Sequence, residues 1–384
     1  MNPPPRTTKA LPLKVRSDFS EHSGPSPGSS SPTQRISRGT GADLRYAAVM
    51  KTFGFQWHVT DRCNLRCRHC YQDAFGRESE QGPGALVRMA DAVFGALPDR
   101  TVSVNLTGGE PLLLPGLFDV VAHLHSLPNF GEAAIITNGT IATDSVLESI
   151  ARFPKLTTLK VSIESADAAT NDSIRGDGNL RRVLENLSRL RSTGRDIVLM
   201  VTLSRLNLAH VGATADLARR EELAGIIFER FVPLGTGSRL LDQVLSPDDW
   251  SDALRSVAAA AGIEADPGDL LPYKAFWLDT RPGAEDPLSG ALCNLGDGSM
   301  ALMPDGTVYP CRRLPIPQGN VLAVPFAEIL DRLAGFSTQS IRPRLSGVFC
   351  PSCGMEDCSG CRALARALSM DPLADDPQCP LLVP

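Results

Sequence analysis

Thr60-Asp61-Arg62-Cys63-Asn64-Leu65-Arg66-Cys67-Arg68-His69-Cys70-Tyr71 is the stretch that decides how this chain is read. It sets three cysteines at the spacing C-x3-C-x2-C. Three thiolates from one short loop can ligate three irons of a 4Fe–4S cluster and leave the fourth iron free. A cluster with four cysteine ligands transfers electrons, whereas one with an open iron can bind a small molecule and act on it. The spacing alone also admits a structural zinc site completed by His69 or His58.

Outward from this loop the apolar pattern alternates. Strand-like runs at 53–59, 102–106, 133–137, 158–163, 197–203 and 225–231 are separated by helix-like stretches at 84–97, 116–127, 144–153, 179–193 and 209–222. Strands alternating with helices predict an α/β fold with a parallel sheet and right-handed crossovers. Six units are too few for a closed (β/α)8 barrel and fit a partial, TIM-like (β/α)6 barrel. In such barrels the functional residues sit at the C-terminal ends of strands. The cysteine loop follows the first strand-like run, as that rule requires.

The expected organisation has four parts. Residues 1–45, rich in Pro, Ser, Gly and Arg, read as a disordered tail. Residues 50–262 form the barrel, closed by a helix around 246–261. Residues 263–292, with several Pro, Gly and Asp, read as a linker. Residues 293–384 hold the other seven cysteines and read as a small domain organised by metal rather than by a core.

Composition narrows the function classes. At 384 residues and 42% hydrophobic, the chain can bury a sizeable core. A net charge of -5 favours neither nucleic acid nor an anionic membrane as partner. No apolar run approaches a membrane span, and the start Met-Asn-Pro-Pro-Pro-Arg lacks the apolar core of a secretory signal. Ten cysteines without an export signal point to reduced thiols, metal binding and a cytoplasmic setting.

Further motifs stand at the ends of later strands. The second ends in Leu106-Thr107-Gly108-Gly109-Glu110-Pro111. The two glycines let backbone approach a ligand closely, and Glu110 can accept hydrogen bonds from an ammonium; alone, the motif is also an ordinary turn. The fourth ends in Val161-Ser162-Ile163-Glu164, where alternation turns Ser162 and Glu164 to one face. Downstream, Arg175 in Asn171-Asp172-Ser173-Ile174-Arg175-Gly176 suits either a carboxylate partner or a solvated surface.

The triplet followed by Tyr71, the Gly108-Gly109-Glu110-Pro111 motif and the strand order together resemble radical S-adenosylmethionine (SAM) enzymes. The resemblance implies a SAM-binding 4Fe–4S cluster on Cys63, Cys67 and Cys70. It implies SAM contacts from Tyr71, Gly108, Gly109, Glu110 and Ser162, with Arg175 pairing the SAM carboxylate. Many members have Asp where this chain has Glu164. The implied chemistry is reductive cleavage of SAM to methionine and a 5′-deoxyadenosyl radical, fed by an electron donor such as flavodoxin or ferredoxin.

The remaining cysteines run Cys293, then Gly306-x4-Cys311, then Cys350-x2-Cys353-x4-Cys358-x2-Cys361, then Cys379. Zinc ribbons account for such pairs. Behind this barrel, however, the order resembles the SPASM extension, which carries one or two auxiliary 4Fe–4S clusters. Family spacings in the last group are usually x5 and x3, against x4 and x2 here. The interleaved family pattern assigns Cys350, Cys353, Cys358 and Cys379 to a distal cluster, and Cys293, Cys311 and Cys361 to a nearer one. Three ligands leave an open iron suited to a substrate thiolate, a non-cysteine ligand, or no nearer cluster.

Sulfatase-maturing members have Asp directly after the Gly-x4-Cys cysteine; Arg312-Arg313 stands there instead, which counts against that activity. The arginines suit an acidic peptide, a carboxylate or plain surface charge. The expected substrate is a ribosomally made peptide that gains a thioether or other crosslink at an unactivated carbon. Because the tail is too polar for a peptide-binding domain, recognition falls to a separate protein or to the barrel itself. A tetrapyrrole whose propionates meet Arg312, Arg313 and Arg342 is the second reading. A non-catalytic metal-binding scaffold is the third.

Overall fold

The computed structural model describes residues 14–16 and 52–382. In chain order its sheet begins with a short strand, β1 (Lys14–Arg16). Six strands then run parallel, each bonded to the next: β2 (Thr52–Thr60), β3 (Thr101–Gly108), β4 (Phe130–Thr137), β5 (Leu156–Ser162), β6 (Asp196–Leu203) and β7 (Gly225–Arg230). The crossovers carry α1 (Pro83–Gly95), α2 (Leu117–Ser126), α3 (Asp144–Arg152), the pair α4 (Ala168–Arg175) and α5 (Asn179–Arg191), and α6 (Val211–Arg220). This is the expected partial α/β barrel.

The local sequence dictates these elements. In β2, Phe53, Phe55, Trp57 and Val59 alternate onto one buried face, while His58 and Thr60 are buried on the other. Burial on both faces is usual for a parallel strand. In α1 the buried set Leu86, Met89, Ala90, Val93 and Phe94 follows helical spacing, with Pro in the first turn, where no amide donor is needed. Phe94 meets Phe55 edge-on at 6.5 Å. Truncating a fully buried residue such as Trp57 to Ala costs roughly 3–5 kcal/mol.

Two expectations need correction. The stretch 263–292 is not a linker. After α7 (Pro247–Ala260) and α8 (Pro267–Leu270), it holds β8 (Tyr273–Asp279) and β9 (Leu288–Leu292), which extend the sheet antiparallel from β7. Phe276 and Leu278 are fully buried in the main core, and that burial outweighs the flanking Pro and Gly.

The cysteine-rich region is likewise not held by metal alone. Its strands β10 (Ser299–Leu302), β11 (Thr307–Tyr309) and β12 (Gly319–Asn320) extend the opposite edge, β10 pairing parallel with β2. It also carries α9 (Phe326–Ala334), α10 (Thr338–Ile341) and α11 (Arg362–Ser369). Met300, Leu302, Val308, Phe326, Ile329 and Leu333 join the main core, with Phe326 edge-on to Phe53 at 6.2 Å.

The expected disordered tail, 1–45, lies outside the described residues except at β1. That segment pairs parallel with β9. Among the described residues, no helix is long and apolar enough to cross a membrane.

Candidate functional site

The cysteine loop leaves the C-terminal end of β2 and is laced down from three sides. From the end of β3, the Gly109 N–H donates to Thr60 O at 2.8 Å and the Glu110 N–H to Arg62 O at 2.7 Å. Gly108 has φ +132, and a Cβ there would run into the Thr60 carbonyl; one on Gly109 would run into that of Arg62. These glycines therefore also permit close approach to the cysteine loop itself.

Beyond β7, Gly235-Thr236-Gly237 clamps the same loop. The Thr236 N–H donates to Gln72 O at 3.0 Å and the Gly237 N–H to Cys70 O at 2.9 Å. The Thr236 hydroxyl lies 3.1 Å from Cys67 O and 3.2 Å from Cys70 O. On the third side, the Arg68 N–H donates to Ile174 O of α4 at 2.8 Å. A fork of two 2.7 Å bonds from Arg62 to Glu80 ties the loop entrance to the following segment. Sequence reasoning missed the Gly-Thr-Gly clamp; its signal was two glycines just past the last parallel strand.

The loop roofs a cavity of about 960 Å³, open mouth included. Cys63, Cys67, Cys70, Tyr71, Gly108, Gly109, Ser162 and Arg175 all line it, so those expected residues are brought together. The Tyr71 hydroxyl donates to Gly108 O at 3.2 Å. Glu110 lies behind the glycines, fully buried. It accepts from the Thr137 hydroxyl at 2.9 Å, the Asn138 N–H at 2.7 Å and the Leu112 N–H at 3.2 Å. Burial pushes its carboxyl up to about 7 against these donors.

Glu164 is the hub of the far wall. It accepts from Arg175 Nη1 at 2.8 Å and from the Thr202 N–H at 2.9 Å, with His69 Nε2 at 3.2 Å. Burial alone would raise its carboxyl, but His69, Arg175 and the Thr202 amide hold it below the usual range. Arg175 is therefore buried and paired, not a surface arginine. Its Nε and His69 Nδ1 are buried without a partner.

These features fit an iron–sulfur cluster with a polar ligand beside it. Burial raises all three thiols, Cys70 to about 11. Three adjacent thiolates there require a positive centre. Backbone donors already point at two of the sulfurs, Leu65 N–H at 3.4 Å from Cys63 Sγ and Gln72 N–H at 3.5 Å from Cys70 Sγ. The zinc alternative fits less well. His69 is engaged with Glu164, and His58 is buried edge-on to Tyr71 at 5.6 Å between ring centres.

The opposite wall comes from the cysteine-rich region. Arg312 and Arg313 line the cavity and share Glu229, at 2.5 and 3.8 Å. Arg312 also lies over the Tyr71 ring at 5.3 Å. Arg342, by contrast, is spent on the carbonyls of Cys358, at 2.6 Å, and Cys353, away from the cavity. Cys293, Cys311 and Cys361 pack against one apolar cluster with Phe231, Leu314 and Leu364. The fields of Cys361 and Cys311 add to burial in raising Cys293 to about 12, so these three are neighbours. Cys379 likewise feels Cys358. Asp376 joins this region to the barrel, accepting from Arg230 at 2.8 Å and from the Cys361 N–H at 2.8 Å.

Comparison with known proteins agrees with this geometry. Residues 57–218 match the radical SAM superfamily and residues 293–362 the SPASM iron-sulfur cluster-binding domain. The chain is 28% identical over 347 residues to an AdoMet-dependent heme synthase of Methanosarcina barkeri, covering 84% of this chain and 95% of the relative. It is 28% identical over 335 residues to the mycofactocin maturase MftC of Mycobacterium ulcerans, covering 84% and 86%. Its fold is similar to that of Streptococcus suis SuiB bound to its precursor peptide SuiA, with TM-score 0.64 at 15% identity, over 92% of this chain and 84% of that one. The cysteine loop thus heads a radical SAM domain and the C-terminal cysteine-rich region built onto the barrel edge is a SPASM domain, and the two together imply SAM and 4Fe–4S clusters as cofactors.

Proposed function

We propose that this enzyme modifies a ribosomally made peptide, forming a thioether or other crosslink at an unactivated carbon, with Cys63, Cys67 and Cys70 as the ligands of the SAM-binding cluster. When bound, the reduced cluster and SAM supply the radical that abstracts hydrogen. Arg175, held by Glu164 with Nε unpartnered, offers a donor to the SAM carboxylate. Gly108 and Gly109 form the cavity wall beside the cluster, and Ser162 lines the floor. The roof and walls exclude water from the reacting carbon.

The observation that carries the peptide reading is the position of Arg312 and Arg313. They follow Cys311 directly and reach the cavity that the cysteine loop roofs. A substrate in that cavity thus lies between the SAM cluster and the three-cysteine group of Cys293, Cys311 and Cys361. A peptide thiolate suits the position that three ligands leave on the nearer auxiliary cluster. Similarity to MftC and the SuiB fold support this reading. The peptide reaches the cavity through the barrel mouth or with a separate recognition protein.

A tetrapyrrole remains the second reading. The similarity to a heme synthase favours it, as do two cavity arginines sharing one carboxylate, which suit propionates. The test incubates anaerobically reconstituted enzyme with SAM, reductant and either the short peptides encoded beside its gene or iron coproporphyrin. A mass change in a peptide supports the first reading. A change in the porphyrin alone, or in neither while SAM is cleaved, overturns it.

A further inference from the structure

Lys274 lies on β8, inside the stretch that had read as a linker. Its Nζ donates to Leu271 O at 3.2 Å and to Cys358 Sγ at 3.3 Å. The Gly360 N–H donates to the same sulfur at 3.4 Å. The Lys274 charge also reaches Cys293, Cys379 and the Asp376 carboxylate. Resting on the auxiliary-cluster reading above, Cys358 and Cys379 belong to the distal group and Cys293 to the nearer one. One ammonium is therefore bonded to the distal group and within electrostatic reach of the nearer one.

A cation and an N–H···S bond both stabilise the more negative, reduced form of a cluster, and half-buried sites screen that effect only partly. Two clusters close together also repel one another's added electrons, and a cation near both offsets that repulsion. We propose that Lys274 is a potential-setting residue of the auxiliary clusters: by its bond to Cys358 and the nearness of its charge to the other cysteines, it raises their reduction potentials so that they accept an electron from the substrate side. Among the described residues Lys274 makes no hydrogen bond to the loop of Cys63, Cys67 and Cys70, so the SAM cluster serves as an internal control.

The test is an anaerobic redox titration of the reconstituted full chain, followed by electron paramagnetic resonance, for wild type, Lys274→Met, Lys274→Gln and Lys274→Arg. Iron and sulfide content are measured in each. Loss of the charge is expected to lower the auxiliary potentials by about tenfold in reduced-to-oxidised ratio, or about 59 mV for one electron. The Arg variant is expected to stay near wild type, and the SAM cluster to stay unmoved in all. If the Met variant fails to load iron, the Gln variant carries the comparison. Unchanged auxiliary potentials in a fully loaded Met or Gln variant overturn the proposal, as does an equal shift of the SAM cluster. A wild-type iron content of only about four per chain, one cluster's worth, overturns the auxiliary-cluster reading and the proposal with it.

Discussion

Glu164 Oε1 stands 2.8 Å from Arg175 Nη1, both side chains almost wholly buried in the cavity wall. The pair fixes one end of the candidate SAM site, because Glu164 also holds the C-terminal end of β6 through the Thr202 amide. Removing one charge of a buried pair strands the other, at a cost of about 3–5 kcal/mol. Glu164→Gln should therefore lower the stability of the cofactor-free chain by about 3 kcal/mol in urea unfolding. A change below about 0.5 kcal/mol would show that water, not Glu164, satisfies Arg175.

Gly109→Ala should release the cysteine loop. The added methyl meets the Arg62 carbonyl, a backbone atom that cannot swing aside. Loss of one cluster's iron and its resonance signal on reconstitution, with the chain still folded by circular dichroism, is the expected outcome. Full iron content would mean that the strand end shifts without cost.

Glu110 gives a pH dependence with a defined sign. Burial raises its folded pKa from 4.5 to about 7. A carboxyl that binds its proton more tightly when folded stabilises the fold fully below 4.5, and that contribution is lost as pH rises through about 7. The cofactor-free wild type should thus lose about 3 kcal/mol relative to Glu110→Gln between those pH values. Parallel stability–pH curves for the two proteins would contradict the shift.

Thr236→Val keeps the shape of the Gly-Thr-Gly clamp and removes the hydroxyl that reaches the carbonyls of Cys67 and Cys70. About 1 kcal/mol of stability should be lost. Iron should also leave faster on chelator challenge, whereas Thr236→Ser should resemble wild type. Equal chelation half-lives for Val and Ser would remove the clamp from the account.

The barrel and its metal loop were legible because both are written locally. Strand alternation in 53–59 and helical spacing in 84–97 need no tertiary information, and C-x3-C-x2-C sits in eight consecutive residues. The strands β8 and β9 were not, because Pro and Gly around 267–268 and 282–287 mask an aromatic run, Tyr273 to Trp277, that becomes a strand only by pairing with β7. Ser162 and Arg175 were legible as candidates, but the partner of Arg175 lies eleven residues away across a helix, a contact that spacing does not reveal. The glycines of the Gly108-Gly109-Glu110 motif also serve a purpose that the motif does not show. Their tight approach is to the Thr60 and Arg62 carbonyls, which only the folded loop brings near.

The central claim is that Cys63, Cys67 and Cys70 hold the cluster on which SAM is cleaved. The most direct measurement is 5′-deoxyadenosine formation by anaerobically reconstituted enzyme with dithionite and SAM, beside Cys67→Ala and Cys311→Ala. The account predicts product from wild type, none from Cys67→Ala, and SAM cleavage retained in Cys311→Ala. Product from Cys67→Ala at the wild-type rate, or none from wild type carrying its full iron, would contradict it.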